Sequence, residues 1–127
     1  MFVVGGYQPG YKTASIVLSS TEAYDPNANV WTELAPLNAP RTNHTATFLD
    51  DGRIFVAGGR SQNPVYYNEF PVTTTEIYSV AANLWSVAAP MTISREKHTA
   101  TRLPSGKILV AGGSLITTTA EVYDPAT

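Results

Sequence analysis

The feature that most constrains this chain is that it repeats itself. Residues 21–59 align with residues 75–113 at an offset of 54 positions without a gap, and about half of the aligned positions are identical. Trp31 and Trp85, Tyr24 and Tyr78, Glu22 and Glu76, Arg41 and Arg95, and His44 and His98 all fall in register. The phrase "RIFVAGGR" at 53–60 returns as "KILVAGGS" at 107–114, which places Gly58 and Gly59 on Gly112 and Gly113. Partial copies stand at both ends. "MFVVGG" carries Gly5 and Gly6 as its glycine pair, and "AEVYDPAT" places Glu121 on Glu22 and Tyr123 on Tyr24. A unit of this size written again is one that stacks on copies of itself, because a single unit cannot bury its apolar face alone.

Each unit reads as four short strands. "HTATFL" at 44–49 is rich in Thr and aromatic residues, which suit a pleated surface. "DDG" and "PSG" follow, with Gly52 and Gly106 placed for the positive φ of a hairpin. "RIFVAGG" is a nearly continuous apolar run of strand length, which predicts burial on both faces, ended by the glycine pair. "TEAY" and "TEIY" form the third strand, Asp25-Pro26 opens a turn, and Trp31 or Trp85 begins the fourth strand. "TEIYSVAANLWSV" alone has some helical propensity, but the aligned copy holds Asp-Pro inside the same segment, which a helix interior does not tolerate.

Composition sets outer limits. At 127 residues with 43% apolar residues, the chain has one domain's worth of core. A net charge of −2 without a basic cluster gives no footprint for nucleic acid or an anionic membrane. With no cysteine, disulfides and thiolate chemistry are excluded. No apolar stretch approaches the ~20 residues of a spanning helix.

Four strands per ~50 residues, repeated, predict radially packed sheets, the all-β architecture of a β-propeller. The combination of a glycine pair after an apolar strand, Tyr after an acidic residue, Trp seven residues beyond that Tyr, and Arg-x-x-His before the next strand resembles the kelch repeat. The resemblance covers essentially the whole chain. It implies kelch-type blades, about two and a half of them, in an incomplete propeller: a partial blade over 1–38, a complete one over 39–92 and a partial one over 93–127. On this reading "MFVVGGY" is the repeated phrase cut at its front, and the chain reads as part of a longer array. A head-to-tail ring of copies is the alternative. Further blades, from the same chain or another copy, are needed to close the ring.

Recurrence separates scaffold from site. Glu22, Glu76 and Glu121, with Arg41 and Arg95, are expected to form one ion pair or hydrogen-bond set per blade. Tyr24, Tyr78, Tyr123, Trp31 and Trp85 are expected to fill the space between sheets. Gly5, Gly6, Gly58, Gly59, Gly112 and Gly113 mark close backbone approach. His44 and His98 are the only histidines and lack a close acidic or cysteine companion at ligand spacing, so no metal or other cofactor is expected. No catalytic motif is present. Asn43-His44-Thr45 fits a glycosylation triplet but begins a strand, so no weight is placed on it.

The units differ after the glycine pair: "YQPGYKTASIVLSS", "RSQNPVYYNEFPVTT" and the short "SLITTT". In kelch propellers these loops and the segment leading into the first strand share one face and often contact partners. By that resemblance the candidate binding residues are Tyr7, Tyr11, Lys12, Asn43, Arg60, Gln62, Tyr66, Tyr67 and Lys97. The expected function is a non-catalytic module that binds a protein, or a glycan. The alternative is a piece of a carbohydrate-active propeller enzyme, of galactose-oxidase or sialic-acid mutarotase type, whose catalytic residues lie elsewhere. The wording "HTATRLPSGKILVAGG" is more like galactose-oxidase-like and bacterial surface kelch proteins than cytosolic adaptors, a lean towards a secreted or cell-surface protein; the compartment itself is left open.

Overall fold

A computed structural model of the chain describes residues 1–10, 15–65, 67–113 and 118–125. All the regular elements among them are strands: β1 (Phe2–Gln8), β2 (Ile16–Asp25), β3 (Val30–Leu34), β4 (Thr45–Phe48), β5 (Ile54–Ala57), β6 (Arg60–Gln62), β7 (Glu69–Pro71), β8 (Thr75–Ser79), β9 (Leu84–Ala88), β10 (Thr99–Arg102), β11 (Ile108–Ala111) and β12 (Ala120–Tyr123). They form three antiparallel blades in the orders β1-β2-β3, β4-β5-β8-β9 and β10-β11-β12, plus the ribbon β6-β7. The blades have three, four and three strands, the two and a half blades that the repeat implies.

Strand β5 shows why the apolar run is continuous. All four of its residues are buried, and they divide by the two-residue period of a strand. Ile54 and Val56 join a cluster facing the first blade, with Leu37, Tyr78 and Trp85. Phe55 and Ala57 join a cluster facing the third, with Met91, Ile108 and Val110. A blade between two blades has no solvent face along its inner strands.

The hairpins follow their residues. Gly52, at φ +83°, donates its N–H to the Leu49 carbonyl, and the Leu49 N–H donates to the Arg53 carbonyl. The loop of Leu103 to Lys107 repeats this with Gly106. Asp25 accepts from the amides of Asn27 and Ala28, so its carboxylate closes the turn before β3.

Two expectations need correction. The long segments after the glycine pairs are not plain loops. In the first blade β1 bulges at the pair and runs on, with Tyr7 opposite Val17 and Gln8 opposite Ile16. In the second, the corresponding segment folds into the ribbon β6-β7. Both extend beyond the strand lengths that the repeat marks, each arm pairing with its own return arm, and Arg60 also bridges Thr42. The aromatic filling is also uneven. Trp85 is 3% exposed, whereas Trp31 is 48% exposed and rests on Tyr24, because no described residue covers the outer face of the first blade.

Candidate binding face

The repeated polar residues form a staple between blades. Arg41 and Glu76 make a buried ion pair of 2.6 Å, and Arg41 also donates to the carbonyls of Gly58 and Thr74. Glu76 accepts in turn from the amides of Asn38 and Ala39, in the segment leaving the first blade. Arg95 and Glu121 repeat the device at 3.3 Å, with Gly112 and Thr119 as the carbonyl acceptors. Burial alone would raise the Glu121 carboxyl, but bonds from the Thr92 and Ile93 amides and from Arg95 outweigh it and hold it below the ordinary range. Glu22 departs from the expectation: it is exposed opposite Glu33, and residues 1–40 hold no arginine to pair with it.

The glycine pairs let this staple close. Gly6 and Gly59 donate their N–H to the carbonyls of Arg41 and Arg95 in the next blade, at 2.9 and 2.7 Å. A Cβ on Gly58 would lie 2.4 Å from the Arg95 carbonyl oxygen, and its φ of +59° already disfavours any side chain. Gly58→Val is expected to cost about 2–3 kcal/mol of stability. Gly112→Val tests the same sequence position one blade on. The sequence suggests crowding there too, yet no described heavy atom lies within 4 Å of its Cβ position, so only the φ of +70° opposes the change. Urea denaturation should rank Gly58→Val well below Gly112→Val; equal losses would refute the close-approach argument.

The two histidines sit among these carbonyls. The His98 ring is hydrogen-bonded to the Thr45 hydroxyl at 2.9 Å, and neither Nδ1 has a partner among the described residues. Burial first, then the nearby Arg41 and His98, push His44 down from 6.5 to about 4; burial and Arg95 also lower His98. Both rings are therefore neutral at pH 7 and serve as packing groups. The unfolded chain takes up protons near pH 6.5 that folded His44 refuses until about pH 4, so stability is complete above 6.5 and falls through that window. The expected loss between pH 7 and 4.5 is about 2 kcal/mol, measured as urea midpoints at the two values. His44→Gln should flatten the dependence; an unchanged slope would assign it to other groups.

The candidate binding residues divide into anchors and exposed groups. Gln62 ties the two long segments together: its amide donates to the carbonyls of Ser15 and Tyr67, and its oxygen accepts from the Val17 amide. Arg60 pairs with Glu69 in its own ribbon at 3.2 Å and with Glu96 of the next blade at 2.7 Å. Asn43 donates to Glu96 and accepts from the Lys97 amide. These bonds link residues of all three blades. Tyr7 and Tyr67 are 51% and 52% exposed, and Lys97 is exposed as well. Asn43, Tyr67 and Lys97 all have left-handed backbones, at φ +55°, +56° and +53°. Tyr11, Lys12 and Tyr66 lie outside the described residues. Sequence reading did not single out Glu96, because it stands once where the repeated partner position holds Thr42. It also passed over Asn29 and Asn83, although they are identical in the two copies; each accepts from the hydroxyl of its blade's repeated tyrosine.

The kelch motif matches residues 1–38 and 40–92. The chain belongs to the kelch-repeat family. Kelch-like protein 7 from Rattus norvegicus is 37% identical over 82 residues, which cover 65% of this chain and 13% of that protein. Kelch-like protein 15 from Danio rerio is 26% identical over 127 residues, covering 98% of this chain and 20% of that protein. The kelch chain thus spans about a fifth or less of these relatives. A solved structure described as a novel fungal alcohol oxidase of the AA5 family, in complex with copper, matches with a TM-score of 0.69 and 27% identity. The match covers 88% of this chain and 24% of that one. The described residues do not fit a copper centre: no three His, Cys, Asp or Glu side chains converge, and the chain has no cysteine.

Proposed function

We propose that this chain is a non-catalytic kelch binding module whose partner is a protein docked on the face built by the two long segments. The observation that carries this reading is a division of labour. The repeated charged and aromatic residues from Arg41 to Glu121 are engaged in holding blades together. Tyr7 and Tyr67 stand exposed on the single-copy segments braced by Gln62 and Arg60, and Lys97 is exposed in the segment leading into β10, next in sequence to Glu96, which Arg60 pairs with. Rigid aromatic groups on a braced support suit recognition, because little side-chain freedom is lost on binding. Tyr11, Lys12 and Tyr66 belong to the same segments, and Asn43 joins the face through Glu96. The kelch-like relatives favour a protein partner over a glycan. Further blades, from a longer chain or other copies, would complete the ring.

The test is a triple variant, Tyr7→Ala, Tyr67→Ala and Lys97→Ala, measured for stability and for quantitative capture of partners. Stability should stay within about 0.5 kcal/mol of the parent per site, as for surface positions. Partner recovery should fall at least tenfold. Unchanged recovery would place binding elsewhere.

The likeness to the alcohol oxidase supports a second reading, in which this arc is the scaffold of a carbohydrate-active propeller. On that reading the residues described here supply blade packing, and no catalytic group. Binding of simple sugars by the isolated chain, retained in the triple variant, would favour it.

A further inference from the structure

The two histidines occupy equivalent places between glycine pairs. His44 stands immediately before β4, and His98 immediately before β10. A Cβ on Gly5 would lie 3.1 Å from His44 Cε1, and one on Gly59 would lie 2.9 Å from His44 Cβ. One blade on, the same positions on Gly58 and Gly113 lie 3.0 Å from His98 Cε1 and 3.4 Å from His98 Cβ. Each side chain thus sits in a seam between the glycine pair of the preceding blade and that of its own. Two of these pairs are the roots of the long segments, since Gly6 leads into Tyr7 and Gly59 into Arg60.

The seam suits a neutral ring and opposes a charged one. Both Nδ1 atoms are buried and have no partner among the described residues. Facing His44 are Arg41 of its own segment, His98 of the segment entering β10, and Glu76 of β8, which is already paired with Arg41. Facing His98 are Arg95, already paired with Glu121, and His44 across the second blade. Strand β1, which holds Gly5, and β5, which leads to Gly58, carry no charged residue. A proton taken up in the seam would stand beside a guanidinium and away from water, with at most one shared carboxylate to offset it.

The same seam carries the bonds that hold the long segments at their roots. Gly6 and Gly59 donate to the carbonyls of Arg41 and Arg95, Arg60 and Thr42 exchange bonds at 2.8 and 3.0 Å, and Val72 donates to the Gly59 carbonyl at 3.0 Å. The turns at the other end of the strands, closed by the bonds of Leu49 and Leu103, contain no histidine.

We propose that His44 and His98 form a proton switch for the face built by the long segments, closed at neutral pH and opened by acid. Each ring that takes up a proton leaves its seam, the glycine pairs lose their packing, and the long segments come free while the hairpin turns at the far end stay closed. A protein docked on that face is released; this consequence rests on the binding reading above, whereas the opening itself does not. The sign follows from linkage. The open form takes up protons near pH 6.5, and His44 in the closed form refuses them until about 4, so opening becomes easier as pH falls through that window.

Amide exchange of the full chain is followed by NMR between pH 7 and 4.5, corrected for the intrinsic exchange rate at each pH. Protection at Gly6, Gly59, Arg60 and Val72 is expected to fall by about tenfold or more relative to Leu49 and Leu103. A variant carrying His44→Gln and His98→Gln should hold that ratio within about threefold over the same range. In the parent, the His44 ring resonances should titrate well below pH 6.5. Equal loss at both ends of the blades, no loss at the long segments, the same loss in the variant, or a His44 ring that titrates near 6.5 overturns the proposal. If the double variant does not fold, the ring titration and the two ends of the parent still decide. No partner is needed, so unchanged partner recovery in the triple variant of Tyr7, Tyr67 and Lys97 would remove the binding reading and leave this result standing.

Discussion

Trp85→Ala is expected to destabilise the chain by about 3–5 kcal/mol, while Trp31→Ala costs about 1 kcal/mol or less. The two residues occupy the same position of the repeat and differ only in what covers them. The Trp85 ring is buried against Tyr78 and closes the cluster of Leu37, Ile54 and Val56. Truncation opens a cavity between blades one and two and removes the donor to Thr21 and Ala35. The Trp31 ring has Tyr24 at 5.0 Å on one side and is otherwise half in solvent, so its loss leaves no comparable hole. Urea unfolding of the two variants side by side checks this, and the emission of the remaining tryptophan reports which environment survives. Equal losses would mean that the first two blades do not pack as described.

The second large effect is expected from Arg41→Ala, at about 3–5 kcal/mol, with Arg95→Ala costing roughly half as much. Removing one partner of a buried pair leaves the other charged in a site without water, which costs more than the pair itself contributes. The Glu76 side chain is 2% exposed, so it would face this penalty in full, and the carbonyls of Gly58 and Thr74 would lose a donor as well. Glu121 is 21% exposed and keeps bonds from the Thr92 and Ile93 amides, so part of the loss is made good by solvent. Denaturant midpoints for both variants, with Glu76→Gln as a milder companion, decide the matter. If Arg95→Ala proves the more damaging, burial is not what sets the scale.

The repeat made much of this legible beforehand. Because a strand alternates its faces, the apolar run Ile54–Ala57 implied burial on both faces, and a neighbouring blade covers each of them. Because a scaffold element is built once per blade, recurrence of Arg, Glu, Tyr and the glycine pair is the pattern expected of structural residues; Arg41 and Glu76 form a buried ion pair. What repetition could not show is the part that does not repeat. Glu96, which links Arg60 to Asn43, occurs once, and the ribbon β6-β7, held to Thr42 through Arg60, belongs to a segment that the other copies do not share.

The sequence by itself determined the strand order, the hairpin turns and the identity of the blade unit, since these depend on local pattern and on residues a few positions apart. Only the tertiary structure decided which copy of each residue is buried. Trp31 and Trp85, Glu22 and Glu76, or Gly58 and Gly112 are equivalent in the sequence. They part company because burial depends on the neighbouring blade, and each blade of this chain has a different set of neighbours.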